Sequence, residues 1–188
     1  MKKFLLLFAL FANFFVTVAF WWHTSGLLIT SGESSSILIG LGRLVGLLGE
    51  LGILTQLVLV GRIRFVERSF GMNKLNNLHR KIGYTWGTLI ILHPLLLTIG
   101  YAQSNGVSLT AQFIDFFQHW EDVWKAIVGL GLMYIIIAIS ISIIRKKLKY
   151  ETWYFTHLFI YVAIALFFGH QVNTADAVNK IFIIIGTL

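Results

Sequence analysis

Apolar stretches long enough to cross a bilayer occupy most of this 188-residue chain. A transmembrane helix needs about 20 mainly apolar residues. Charged residues make up only 12% of the chain, against about 25% in an ordinary soluble domain. The sequence therefore predicts one all-α polytopic membrane domain over residues 1–188, a six-helix bundle. Its predicted spans are residues 4–22, 37–60, 79–102, 126–144, 154–172 and a shorter 177–188.

The first and last spans need separate arguments. Lys2 and Lys3 precede the first span, as in a secretory signal. That span is longer than a usual signal core and no small-x-small cleavage site follows, so we predict a retained helix. The last span would be only about 18 Å long, short of the ~30 Å hydrocarbon core. We therefore expect the sequence to be a piece of a longer protein, truncated within its last helix.

Lysine and arginine are distributed asymmetrically between the two sides of the predicted spans. Cytoplasmic connections carry an excess of these residues, and only Lys125 and Lys180 lie on the sparse side, with Arg43 inside a span. We expect a multi-pass protein of the cell membrane with a cytoplasmic amino terminus, and we attribute the net charge of +7 to topology rather than to a nucleic-acid partner. The basic side holds Lys2, Lys3, Arg62, Arg64, Arg68, Lys74, Arg80, Lys81, Arg145, Lys146, Lys147 and Lys149.

Four histidines lie inside the apolar spans in two pairs. His79 and His93 are 14 residues apart in the third span, and His157 and His170 are 13 apart in the fifth. With the predicted topology, the first of each pair lies in the inner leaflet and the second in the outer leaflet. A histidine at membrane depth usually has a functional partner. Two pairs at matching depths suit two stacked b-type haems, each with two axial histidines.

The helical geometry of the two pairs differs. Fourteen residues make about 3.9 turns, so His79 and His93 share a face about 21 Å apart. Thirteen residues make about 3.6 turns, which leaves His157 and His170 more than 90° apart on an ideal helix. We expect either local overwinding, near Gly169, or a different approach to the second haem. Two axial histidines close both faces of the iron, which suits electron transfer rather than oxygen binding at the metal.

Other readings of the histidines stay open. They would hydrogen-bond neighbouring helices, or relay protons in a channel or transporter, or belong to an anchor subunit. Zinc is less favoured because each pair supplies only two ligands. The chain has no cysteine, so iron–sulfur and thiolate sites are excluded for it. His23 and His119 are predicted to be solvated in outside loops.

Several residues are predicted to support a haem site. Arg43, in the outer half of the second span, would pair with a propionate of the outer haem or would snorkel to the headgroups. Trp86 is seven residues from both His79 and His93, so it would fill the gap between the haems or simply pack. Arg80 would bind an inner-haem propionate, or would be there because of topology. Glu50 receives no role.

Two further features concern the helices themselves. Pro94 follows His93 and removes a backbone donor from the third span. Aromatic residues recur at helical spacing between Gln103 and Trp124, which predicts an amphipathic helix at the outer membrane surface. Its other face would carry Asp115, His119 and Asp122.

The stretch from Gly42 to about Tyr101 resembles the ferric reductase-like transmembrane domain that NADPH oxidases and iron-reducing membrane flavocytochromes share. It reads RLVGLLGELGILTQLVLVGRIRFVERSFGMNKLNNLHRKIGYTWGTLIILHPLLL at its centre. The shared pattern is an arginine in the second helix, a basic connection with His79 and Arg80 entering the third, and histidine spacings of 14 and 13.

The resemblance implies a membrane oxidoreductase of the NAD(P)H oxidase or ferric reductase type. His79 would pair with His157 on the inner haem b, and His93 with His170 on the outer. Arg43 would lie near the approaching acceptor. Electrons would pass from a cytoplasmic reduced flavin to oxygen, giving superoxide, or to ferric iron outside. FAD and NADH or NADPH would bind a carboxy-terminal domain or a partner reductase. The acceptor, the nucleotide and the oligomeric state stay open, as does a haem-binding membrane subunit of another reductase system.

Overall fold

The structure is a computed structural model and describes residues 2–120, 122–141 and 146–174. The described part consists of α-helices and their connections, with no strand, which confirms the all-α prediction. The predicted sixth span, residues 177–188, lies outside the described residues. The helices are α1 Lys2–Thr30, α2 Ser34–Val60, α3 Arg64–Phe70, α4 Met72–Asn105, α5 Leu109–His119, α6 Val123–Ser140, α7 Tyr150–Leu158 and α8 Ile160–Thr174.

Five helical segments in the described part are long and apolar enough to cross a membrane. They correspond one to one with the first five predicted spans, and α7 with the first part of α8 forms the fifth. The protein is therefore a membrane protein with several apolar helices. The candidate spans are Lys3–Thr30, Ser34–Val60, Met72–Asn105, Val123–Ser140 and Tyr150–His170.

The helices extend past the apolar stretches that predicted them. α4 begins at Met72, so His79 lies about two turns inside the helix and not at its start. Its 34 residues span about 51 Å, far more than the hydrocarbon core, so polar residues such as Asn76 continue the helix beyond the bilayer. α1 runs to Thr30, which places His23 in a helix and corrects the predicted loop; its side chain is exposed, as expected.

A short helix, α3, lies between the second and third spans and was not predicted. Gly71 separates it from α4 with φ +83°, a left-handed conformation that glycine adopts without steric cost. Val66 of α3 is buried in a cluster with Leu59 of α2 and Leu75 of α4, and Leu6 of α1 packs against the same cluster. This cluster joins the four helices at one end of the spans.

The chain divides into two compact units, residues 1–112 and 113–188. In the first unit, α2 packs along α4 through four glycines spaced four, three and three residues apart. Small residues at such spacing let two helix backbones approach closely in a membrane. Trp21 of α1 is buried and donates from Nε1 to the Gly40 carbonyl oxygen of α2 at 2.7 Å. The four glycines are Gly42, Gly46, Gly49 and Gly52.

In the second unit, α6 packs against α7 and α8. A Cβ at Gly129 of α6 would lie 3.2 Å from the Ala163 carbonyl oxygen of α8, so the two helices approach closely here. Ala163 of α8 and Ile136 of α6 are only 0% and 1% exposed.

The fifth span is interrupted at Phe159, between α7 and α8. The Phe159 N–H donates to the Thr156 carbonyl oxygen at 3.2 Å, and the Val162 N–H donates to the Phe159 carbonyl oxygen at 3.0 Å. Bonds three residues apart are those of a 3₁₀ turn, which rotates about 120° per residue instead of 100°. The overwinding predicted near Gly169 is therefore found ten residues earlier, while Gly169 lies within α8.

Candidate functional site

The four paired histidines lie on three helices and are all half-buried. His79 and His93 are on α4, which continues without interruption through Pro94. The two rings are therefore held by one rigid element, about 21 Å apart along its axis. His157 is on α7 and His170 on α8, and the tightened turn at Phe159 lies between them. That turn adds rotation in the direction that reduces the angle left by a 13-residue interval.

His93 is oriented by the backbone of α2. Its Nδ1 lies 2.9 Å from the Gly42 carbonyl oxygen. A carbonyl oxygen only accepts, so Nδ1 carries the proton and the ring's lone pair is on Nε2. A Cβ at Gly46 would lie 2.5 Å from His93 Nδ1, so this position of α2 accommodates the ring only because it is glycine. Two of the four α2 glycines thus position one imidazole: Gly42 accepts its hydrogen bond and Gly46 leaves room for the ring.

His157 is oriented by a serine of α6. Its Nδ1 lies 3.0 Å from Ser140 Oγ, which in turn donates to the Ile136 carbonyl oxygen at 2.7 Å. The serine has one hydrogen, so it accepts from His157 and places that ring's lone pair on Nε2. Trp153 Nε1 also donates to Ser140 Oγ, at 3.4 Å, and its indole stacks on the imidazole with ring centroids 5.3 Å apart.

The surroundings of the other two histidines are less specific. Gln56 of α2 donates from Nε2 to the His79 backbone carbonyl oxygen at 3.2 Å, so it holds the helix backbone at this ring. Beside His170, the aliphatic stem of Lys125 passes Gly169, 3.9 Å from where a Cβ would be. The Lys125 ammonium forms an ion pair with Asp122. The side chain of Lys125 therefore passes close to the residue before His170, a feature that was not predicted from the sequence.

Arg43 is exposed and lies next to Gly42, the first of the α2 glycines that contact α4. Its Nη2 donates to Tyr101 Oη of α4 at 3.2 Å. It directly follows Gly42, whose carbonyl oxygen accepts from His93 Nδ1, so the arginine is adjacent to the backbone group that orients this ring. A propionate partner for Arg43 stays a prediction. Glu50, seven residues further along α2, is half-buried.

Trp86 faces α2, because a Cβ at Gly52 would overlap its indole ring. Its Nε1 is buried and has no hydrogen-bond partner among the residues that the structure describes. The packing interpretation of Trp86 is thus directly visible, and contact with a haem stays a prediction. Arg80 is exposed and donates to Asn77 Oδ1 at 3.1 Å, within its own helix. Its predicted contact with a propionate is untested.

The predicted amphipathic helix between the third and fourth spans is α5, Leu109–His119. Asp115 accepts from His119 Nδ1 and from Trp120 Nε1, both at 3.1 Å, while Phe113 and Phe117 are exposed. Asp122 was predicted on the polar face of this helix, with Asp115 and His119. It is instead only 7% exposed and pairs with Lys125, because the chain turns there with φ +60° and starts α6.

The donor chemistry fits a bis-histidine haem. His93 and His157 each carry a proton on Nδ1, and metal-bound histidines usually donate their other ring N–H to an acceptor in this way. Within the described ranges, no three histidine, aspartate or glutamate side chains are close enough to hold one metal ion. Trp86 Nε1 lies on the same face of α4 as His93. It is buried and without a hydrogen-bond partner among the described residues, so it is a further polar atom that a bound group would contact.

Apolar helices of membrane-spanning length, with His93 oriented by a backbone carbonyl and His157 by a serine hydroxyl, define the class of this protein as a membrane domain with oriented intramembrane histidines. Residues 45–168, about two thirds of the chain, match the family described as ferric reductase like transmembrane component. The chain belongs to this family. Neither a curated protein nor a solved structure matches it.

Family membership has consequences at a coarse level. It makes the chain a membrane oxidoreductase component and suggests transmembrane electron transfer. Members are generally associated with haem and flavin, and the transmembrane component usually works with a flavin domain.

Proposed function

We propose that this chain carries single electrons across the membrane through two bis-histidine haems b. His79 and His157 would ligate the inner haem, and His93 and His170 the outer. A haem held this way supplies a one-electron Fe³⁺/Fe²⁺ couple whose axial positions are both taken. The acceptor outside would be oxygen, giving superoxide, or ferric iron, and it would react at the haem edge.

The observation that supports this proposal best is the orientation of two histidines from different spans. His93 and His157 each direct Nδ1–H to an acceptor, the Gly42 carbonyl and the Ser140 hydroxyl. Each therefore has its lone pair on Nε2, the form in which histidine binds a metal. A histidine that merely joins two helices has no need of the same tautomer in both places.

The remaining residues of α2 and α4 have supporting tasks in this proposal. α4 fixes the distance between the two ligand levels, since His79 and His93 are part of one uninterrupted helix. Trp86 packs against Gly52 of α2 at mid-helix and would keep water out. Arg43, anchored by Tyr101, would hold a carboxylate at the outer surface, which an arginine does well because its donors form a planar fork.

The electron donor would be a flavin domain on the cytoplasmic side, on the same polypeptide or on a partner. NADH or NADPH would reduce its flavin. The flavin domain would dock on the side of the membrane where the lysines and arginines are concentrated, since positively charged connections lie in the cytoplasm. Arg80 lies at that side, exposed on the first turns of α4.

The test is electron transfer across sealed vesicles. The purified, haem-loaded chain is reconstituted with ferricyanide trapped inside, and chemically reduced flavin is added outside. We expect the trapped ferricyanide to be bleached, and we expect His93→Ala and His157→Ala to stop the bleaching. His23→Ala and His119→Ala are matched controls because both side chains are exposed. Bleaching at full rate in the two ligand variants would refute the proposal.

A further inference from the structure

We propose that Ser140 is a positioning residue that sets the reduction potential of the inner haem through His157, with Trp153 acting against it. The inference rests on the proposed function, since it takes His157 as an axial ligand. It names a residue outside the four histidines and outside α4, and it follows from the contacts of α6 and α7 alone.

The Ser140 hydroxyl uses its whole hydrogen-bonding capacity. A hydroxyl has one hydrogen to donate and two lone pairs to accept. Its hydrogen goes to the Ile136 carbonyl oxygen at 2.7 Å, and its lone pairs receive His157 Nδ1–H at 3.0 Å and Trp153 Nε1–H at 3.4 Å. Two donors therefore share one oxygen, and the histidine has the shorter bond.

Hydrogen bonding at Nδ1 controls how strongly an imidazole donates through Nε2. An acceptor at Nδ1–H makes the ring more basic and a stronger metal ligand. A stronger ligand favours Fe³⁺ over Fe²⁺ and lowers the reduction potential. Trp153, as a second donor to the same oxygen, weakens Ser140 as an acceptor. Removing the serine hydroxyl and removing the indole N–H should therefore shift the potential in opposite directions.

The outer ligand of the first unit has no equivalent adjustment. His93 donates to the Gly42 backbone carbonyl, an acceptor that no side-chain substitution removes. The side-chain acceptor is found only at His157 among these two rings. The potential of the inner haem would then be adjustable through a side chain at His157, which suits the haem that receives electrons from a flavin.

The experiment is a redox titration of the full chain, purified with haem, in three variants. Ser140→Ala should raise the potential of one haem, and Trp153→Phe, which keeps an aromatic ring against the imidazole, should lower the same one. A neutral hydrogen bond would account for about a fivefold change in the reduction equilibrium, or about 40 mV for a one-electron couple. Ser140→Thr keeps a hydroxyl and should restore the wild-type potential.

Thr156→Val is the matched control. Thr156 precedes His157 on α7, and its hydroxyl donates only to a carbonyl of its own helix, that of Thr152, at 2.7 Å, in the bonds that the structure records for it. Its loss should leave both potentials unchanged. Electron paramagnetic resonance of the oxidised low-spin haem supplies a second readout, because its signal responds to ligand basicity and would change in Ser140→Ala but not in Thr156→Val.

The outcomes separate the inference from the function on which it rests. Two haems per chain with unchanged potentials in Ser140→Ala and Trp153→Phe would overturn the role of Ser140 and leave the electron pathway standing. A wild-type chain without haem would overturn the proposed function itself. If Ser140→Ala does not retain haem, Trp153→Phe decides, since it leaves the serine in place: a lowered potential supports the inference, and an unchanged one refutes it.

Discussion

At the scale of single residues, substitution of Gly46 tests the placement of the His93 ring more specifically than substitution of a histidine does. A Cβ at this position would lie 2.5 Å from Nδ1 and 2.7 Å from Cε1 of His93. Gly46→Ala should therefore push the ring off the Gly42 carbonyl, at an overpacking cost of about 1–3 kcal/mol. We expect the purified variant to lose one haem per chain, measured by the absorbance of the extracted pigment.

Gly49→Ala is the control for that variant. Gly49 is another of the α2 glycines that contact α4, but a Cβ there would make only an ordinary contact of 3.4 Å with Ile90. Alanine is the better helix former by up to about 1 kcal/mol, so this variant should fold at least as well. Two haems in Gly46→Ala would show that the ring at His93 is not placed as the structure has it.

The histidines themselves were predictable from the sequence, and their partners were not. Four histidines at intervals of 14 and 13 inside apolar spans are visible in the letters alone. Ser140 is one polar residue in a predicted span and lies 17 positions from His157, on a different helix. Nothing in a linear pattern relates the two. The glycines that face His93 are spaced as a helix contact requires, so that signal was present, but it did not indicate which side chain they accommodate.

At the scale of helices, the turn at Phe159 determines how His157 and His170 are oriented relative to each other. One alanine inserted between Ile160 and Tyr161 would rotate one ring by about 100° and shift it by about 1.5 Å relative to the other. Because α8 is fixed against α6 at Gly129 and Ala163, the insertion cannot be absorbed without moving one of the two rings. We expect at most one haem per chain in this variant.

The control insertion is an alanine between Gly106 and Val107, in the exposed connection before α5. Connections of this kind tolerate added residues, so two haems should remain. If the variant with the insertion between Ile160 and Tyr161 retains two haems, the rotation between His157 and His170 along the fifth span is not what aligns the ligands.

Hydropathy predicted the membrane-length helices of the described part but not where they end. Membrane-length apolar runs give the five spans directly, because the bilayer demands them. The ends of α4 and α1 were placed too far inside, since a polar stretch such as residues 72–78 can continue a helix into water without any apolar signal. α3 was missed because its seven residues include Arg64, Glu67 and Arg68 and never form an apolar run.

At the scale of the whole molecule, the distribution of basic residues predicts an orientation that can be measured. The chain has no cysteine, so single cysteines can be introduced and labelled from one side. Val107→Cys should react with a membrane-impermeant maleimide in intact cells, and Ile63→Cys only after permeabilisation. The two side chains are 44% and 45% exposed, so accessibility alone does not separate them.

The cysteine-free parent gives the background of that labelling. Reaction of Ile63→Cys, but not Val107→Cys, in intact cells would reverse the topology. In that case His79 and His157 would lie in the outer leaflet, and the flavin donor would have to face the other side.

The most direct test of the central claim is the ratio of haem to polypeptide. The wild-type chain is expressed with haem supplied, purified in detergent, and assayed for extracted haem against protein mass. Two haem b per chain is the predicted result, falling to one or none in His93→Ala and His170→Ala. A colourless wild-type protein, or two haems retained in both variants, would contradict the account.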